Sequence, residues 1–208
     1  YLNDVGYNHV IANNIFKGEN KEKYATGFEY RIKIMGNQNA TVTTNVFEGG
    51  VGHVMVVSNG AVEPHCKNIV VTNNTFMNLY RGSSNNSGAF ISNAGSIVEN
   101  LIVANNVIRD CDANFGIRLD MTVNSKIDNN LIIGTPNMIG IMVERYITNT
   151  YITNNQLDGD FDRGINIGTN TSIQSKNIRI TGNTLKGIYP CFLNYVESAT
   201  ISDNEFIS

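Results

Sequence analysis

The feature that most constrains this chain is an asparagine step that recurs along its whole length. VIANNIF at 10–16, TVTTNVF at 41–47, NIVVTNNTF at 68–76, LIVANNVI at 101–108, SKIDNNLI at 125–132, YITNNQL at 151–157, IRITGNTL at 178–185 and ATISDNEF at 199–206 are variants of one phrase. In each, β-branched or aliphatic residues run up to a polar pair and resume directly after it. Anchored on the second residue of the pair, the copies fall at Asn14, Asn45, Asn74, Asn106, Asn130, Asn155, Asn183 and Asn204. Their mean spacing is about 27 residues, and a repeat of roughly 20–50 residues announces a stacked array, in which one unit buries its apolar face only against its neighbours. Uneven spacing marks the loops that change length.

Each copy holds one strand-like piece before the asparagine step and one after it, then a third piece of the form Gly-apolar-x-apolar. The third piece reads GIRLD from Gly116, GIMVE from Gly140 and GINIG from Gly164, and with more drift PCFLN from Pro190 and GAFIS from Gly88. Three short strands of period 2 per turn, with no helical periodicity between them, predict an all-β parallel β-helix solenoid of about eight turns. A leucine-rich horseshoe is excluded by the leucine spacing. Stacked turns place equivalent side chains about 4.8 Å apart, so Ile117, Ile141 and Ile165 are expected to form one inward column. Burial of each such side chain stabilises by roughly 1.5–3 kcal/mol. The two asparagines divide their labour. The first suits a bend, because its side chain bonds locally and tolerates the left-handed region; the second carries an amide that donates on one side and accepts on the other, which predicts a ladder from turn to turn.

The repeat runs without a linker, so residues 1–208 read as a single array. Charged residues are 16% of the chain, net charge is −3, Trp is absent and asparagine is heavily over-represented; this composition argues against a nucleic-acid partner and against a disordered tail. The three cysteines, Cys66, Cys111 and Cys191, occupy unrelated positions in three repeats, which yields neither a disulfide framework nor a metal quartet, and Cys191 falls at an inward position. No apolar run is long enough to span a bilayer and no basic leader is visible, so no membrane association is expected. Neither Tyr1 nor Ser208 lies in a polar capping unit, and the chain reads as a segment of a longer protein.

The I-x-I-x-N-N-x-F step alternating with G-I-x-I, with an asparagine at each bend, resembles the right-handed β-helices of the pectate-lyase-like superfamily over nearly the whole chain. The resemblance implies a right-handed helix. It leaves function open, since that superfamily includes polysaccharide lyases, glycoside hydrolases, epimerases and bacteriophage tailspikes. It also implies a sugar groove along the Gly-apolar-x-apolar sheet. With Ile117 and Leu119 inward, alternation turns Arg118 and Asp120 outward, and likewise Met142 and Glu144, Asn166 and Gly168, Phe192 and Asn194, and Phe90 and Ser92. The first turns add Lys33, Val56 and Ser58.

An outer face that mixes aromatic and charged groups suits a sugar, which has an apolar face and a hydroxyl rim. Substrate contacts are therefore expected at Lys33, Phe90, Arg118 and Phe192. Asp120 and Glu144 fall at equivalent positions on successive turns, where their carboxylates would approach to roughly 5–5.5 Å, the spacing of a retaining glycosidase pair. They are the catalytic candidates, with salt bridges to the nearby Arg118 and Arg145 as the competing, purely structural account. Asp110 and Asp112 would add to the same wall.

Sharper motifs point less far. The polygalacturonase set appears in the wrong order, RIK at 31–33 ahead of GHV at 52–54, and without its aspartate elements. IKIMG at 32–36 followed by NVFEG at 45–49 is similar to a segment of the alginate and chondroitin lyases of polysaccharide lyase family six, with Lys33 where that family has a catalytic arginine and Glu29-Tyr30 where it has two glycines. DGDFD at 158–162 opens like a calcium loop, but Thr169 stands where a bidentate glutamate is needed. His9, His53 and His65 fall in different repeats. No metal or other cofactor is expected. The functional expectation is a module that recognises a polysaccharide, and cleaves it if Asp120 and Glu144 act as a pair, on a virion surface or outside the cell. A tailspike-like homotrimer is compatible with the apolar outer stripe; a secreted bacterial lyase or hydrolase is the alternative, and a non-catalytic surface repeat the third reading.

Overall fold

A computed structural model describes residues 8–18, 30–36, 38–50, 52–58, 66–81, 87–94, 97–168 and 175–207. Among the described residues every regular element is a β-strand, and the strands pair in parallel within three sheets. The first sheet has nine strands and takes the piece before each asparagine step, from Val10–Ala12 through Lys67–Thr72 and Val98–Ala104 to Ala199–Ser202. The second has eight strands and takes the piece after the step, from Ile15–Lys17 to Glu205–Ile207. The third has seven, among them Phe115–Leu119, Ile139–Val143, Arg163–Ile167 and Tyr189–Leu193. Because neighbours within each sheet come from successive repeats, this is the arrangement of a β-solenoid.

The core is a set of columns. In the first sheet Val42, Val71, Val103, Ile127, Ile152 and Ile180 are in register and buried. In the second, Phe16, Phe47 and Phe76 stack with ring centroids 4.8 and 4.9 Å apart and planes within 10°, and the column continues through Ile108, Ile132, Leu157 and Leu185. In the third, Ile117, Ile141 and Ile165 align as expected, followed by Cys191.

The asparagine pair resolves into two jobs. Asn13, Asn73, Asn105, Asn129 and Asn154 take the left-handed conformation, with φ between 52° and 59°, which asparagine accepts at low cost. Their successors are the ladder. The backbone N–H and Nδ2 of Asn106 both donate to Asn130 Oδ1 at 3.0 Å, while Asn106 Oδ1 accepts from the N–H and Nδ2 of Asn74 at 3.0 and 3.1 Å. The same bonds run unbroken from Asn14 to Asn204. From Asn45 onward a second N–H on each amide reaches a strand carbonyl of the preceding turn, as Asn106 does to Val71 O at 3.0 Å. Buried amides thus find partners within the core.

The structure adds a second ladder that the repeat phrase does not announce. Asn39, Asn68, Asn100, Asn149 and Asn177, five places before each step, are also left-handed. Their side chains donate in the opposite direction, Asn68 to Asn39 at 2.8 Å, Asn100 to Asn68 at 2.8 Å and Asn177 to Asn149 at 3.0 Å. This one lies on the surface.

Phe90, Ser92 and Val56, expected outward, point inward. Gly88 pairs with Phe115, not with Gly116, so Phe90 falls in register with Ile117 and Val54, and Ser92 with Val56. Phe90 and Val56 are both 0% exposed and belong to the core; the buried Ser92 hydroxyl donates to Asp120 O. Their strands run to seven residues, and counting from the glycine puts the alternation one place out. A slip of one residue exchanges the two faces of a strand.

Candidate functional site

The outer face of the third sheet carries two rows. Lys33, Ile91, Arg118, Met142, Asn166 and Phe192 make up one, with the backbone of Met55 in register between Lys33 and Ile91; Phe115, Ile139, Arg163 and Tyr189 are in register in the other. Between them lies Gly116 and its equivalents, where an added Cβ would meet Gly140 O at 2.7 Å and the inward Ile132. The residue before the glycine, as Phe115, and the one two places after it, as Arg118, face outward, while Ile117 between them points into the core. Arginine and aromatic side chains bridge the rows: the Arg118 guanidinium lies 5.3 Å from the Phe115 ring centroid, and that of Arg163 lies 4.5 Å from Phe192. Such contacts contribute about 0.5–1 kcal/mol at exposed positions and hold the guanidinium in place.

Along this face access is uneven. Ile91, Met142 and Asn166 are 1, 6 and 2% exposed although they face away from the core. The middle of the expected groove floor is closed. Access is greater at Tyr189, 54% exposed, and at the half-buried Phe192.

Asp120 and Glu144 follow Leu119 and Val143, which pair directly. Each is held by an arginine from the other's turn. Arg118 Nη2 donates to Glu144 Oε2 at 2.6 Å, with both side chains mostly buried. Arg145 grips Asp120 through two bonds, Nε to Oδ1 at 3.0 Å and Nη2 to Oδ2 at 2.5 Å. The Asp120 carboxylate is 0% exposed while the arginine remains 42% exposed. Its hydrogen bond and charge hold the Arg145 guanidinium above its ordinary range. Four charges on two turns thus cancel in crossed pairs. A carboxylate with both oxygens taken by one guanidinium, and none of its surface accessible, offers no oxygen to a ligand in this arrangement; Glu144 is the more accessible of the two. The expectation that Asp120 lies on an open surface is corrected accordingly, because Arg145 folds over it.

The remaining candidates fall as follows. Lys33 is outward and half-buried, Phe192 outward and half-buried. Asp112 pairs with Arg81 and Asp110 with Arg109. In the calcium-like segment Asp158 lies 3.7 Å from Lys186 and Asp162 3.7 Å from Arg163, and among the described residues no three His, Cys, Asp or Glu side chains gather as a metal site would require. The calls on Glu29, His65 and Thr169, and on the side chains of His53 and Ser58, lie outside the described residues. Sequence alternation missed Arg163 and Tyr189. The available signal was their place one residue ahead of Gly164 and Pro190, the frame position of Phe115.

Comparison of the chain with family models, with curated proteins and with solved structures finds no match in any of the three.

Proposed function

We propose that the chain is a right-handed parallel β-helix of eight turns, of the pectate-lyase-like kind, that recognises a polysaccharide on the outer face of its third sheet. The observation that supports this reading is the cluster of Phe192, Arg163 and Tyr189, where a guanidinium 4.5 Å from one ring stands in register with a second, exposed ring. Aromatic faces for the apolar side of a pyranose and a fixed arginine for its hydroxyls or carboxylate are what carbohydrate recognition requires. Lys33 and Arg118 extend the polar row along the axis. Recognition is favoured over cleavage, because Asp120 is closed off by Arg145.

The test is retention of the protein on a panel of immobilised polysaccharides. A reduction of at least about tenfold in affinity is expected for Phe192→Ala with Arg163→Ala, each contact being worth roughly 1 kcal/mol or more when desolvated by ligand; unchanged retention by the double variant removes this face as the site. The cleaving alternative predicts release of new reducing ends, or of unsaturated uronate by its ultraviolet absorbance, lost in Asp120→Asn and Glu144→Gln. A virion-surface, tailspike-like assembly predicts a homotrimer by sedimentation.

A further inference from the structure

On the first sheet, away from the face just described, an axial cleft of about 280 Å³ runs along the last three strands. One bank is the outer ladder, Asn149, Asn177 and Ser198; the other is Tyr151, Arg179 and Thr200, which are in register. Ile178 and Ala199, paired with each other, line it between the banks. The volume lies just below the range of roughly 300–1,000 Å³ usual for small-ligand sites, which suits a saccharide ring.

Three observations point to what the cleft takes. Arg81, Arg109, Arg118, Arg145 and Arg163 each pair with a carboxylate. Arg179 has no such partner among the described residues, and its guanidinium lies 5.7 Å from the Tyr151 ring centroid. A stacked guanidinium keeps its planar fork of N–H donors, the geometry that fits a carboxylate in two parallel bonds. Second, the ladder amides have capacity to spare. Asn177 Nδ2 uses one N–H on Asn149 Oδ1 and Asn149 Nδ2 one on Asn124 Oδ1, so each has a second N–H at the cleft wall. Third, the ladder changes chemistry here: Ser198 Oγ accepts from the Asn177 N–H at 2.9 Å and donates its O–H to Asn177 Oδ1 at 3.3 Å, which leaves it an acceptor for a ligand, while the Thr200 hydroxyl can both donate and accept. Tyr151 is 43% exposed and supplies an apolar wall.

We propose that this cleft is a second binding site, distinct from the third-sheet face, and that it takes an acidic saccharide: the carboxylate on Arg179, the ring hydroxyls on the Asn149, Asn177 and Ser198 bank, the apolar edge of the ring against Tyr151. The inference stands independently of the third-sheet reading.

Titration calorimetry with a hexuronate tetrasaccharide and its carboxyl-reduced, neutral counterpart tests it. The acidic probe is expected to bind, and the neutral one at least about tenfold more weakly, the scale of a charge-assisted bidentate bond. The decisive measurements are made in a Phe192→Ala/Arg163→Ala background, which removes the third-sheet contacts. There Arg179→Gln should bring the acidic probe down to the neutral level, and Tyr151→Ala should weaken both probes. All four side chains lie on the outer surface, and unfolding curves establish that the variants remain folded. Absence of binding by the parent protein overturns the proposal, as does full affinity after Arg179→Gln and Tyr151→Ala. Loss of binding in the Phe192→Ala/Arg163→Ala background with Arg179 and Tyr151 intact assigns the probe to the third sheet and equally overturns it.

Discussion

Replacement of Asn106 by alanine puts the inner ladder to a direct test. Asn106 is 1% exposed, and its side chain takes part in four bonds: two accepted from Asn74, one donated to Asn130 Oδ1 and one to Val71 O. The loss is unequal among these partners. Asn130 Oδ1 keeps the Asn106 backbone N–H, and Asn74 Nδ2 keeps the carbonyls of Val42 and Thr72. The Asn74 backbone N–H has no other acceptor and is stranded in the core. One orphaned buried donor costs about 1–3 kcal/mol, and the net bonds lost add roughly 1 kcal/mol, so the variant should be less stable by about 3 kcal/mol. With a urea dependence near 3 kcal/mol per molar, the midpoint falls by about 1 M. The assay is equilibrium unfolding followed by far-ultraviolet circular dichroism, with Asn14→Ala as control, since Asn14 is exposed. A stacked array can unfold in segments, so the midpoint of the first transition is the quantity compared. Equal midpoints for Asn106→Ala and the parent would refute the ladder as a source of stability; equal losses at Asn14 and Asn106 would refute burial as its cause.

Three further outcomes follow from particular contacts. Arg145→Ala should cost about 3–5 kcal/mol because it leaves a buried carboxylate uncompensated, whereas Asp120→Asn frees only a solvent-reachable guanidinium and should cost clearly less; thermal melts that reverse this order would contradict the asymmetric burial of the pair. Phe90→Ala should cost about 3–5 kcal/mol as a core deletion and leave polysaccharide retention per folded molecule unchanged, and a stable variant with weakened retention would return Phe90 to the surface. Burial pushes the Cys111 and Cys191 thiols up to about 11 from 9.0. The folded state therefore holds these protons more tightly than the unfolded chain, and the stability they contribute is complete below pH 9 and is lost as pH rises towards 11. The melting temperature of the parent should fall more steeply over that interval than that of Cys111→Ala/Cys191→Ala; parallel curves would show that the thiols do not titrate differently on folding.

Much of the architecture was readable from the chain because its causes are local and repeated. The asparagine step marks the bend, since only a residue tolerant of positive φ can sit at Asn73 or Asn105, and the spacing of its partner aligns the ladder from Asn14 to Asn204. The alternation in GIRLD, GIMVE and GINIG places Ile117, Ile141 and Ile165 in one column for the same reason. Where a strand lengthens, this reasoning fails: the face of Phe90 depends on which residue of the neighbouring turn it pairs with, and parity counted within one repeat does not contain that pairing. The outer ladder was present as an asparagine five places ahead of every step but the last, where Ser198 stands, yet its stacking depends on the turns being in register. The charged and aromatic groups lay further beyond reach. Sequence puts Asp120, Arg118, Glu144 and Arg145 near one another, but only the packed turns decide that Arg145 closes over Asp120 while Arg118 takes Glu144. Likewise Tyr151 and Arg179, a full repeat apart in the chain, become neighbours through strand pairing. Local periodicity selects the backbone geometry of a stacked sheet; burial, pairing of charges and the shape of a binding surface belong to contacts between turns, and these exist only once the turns have stacked.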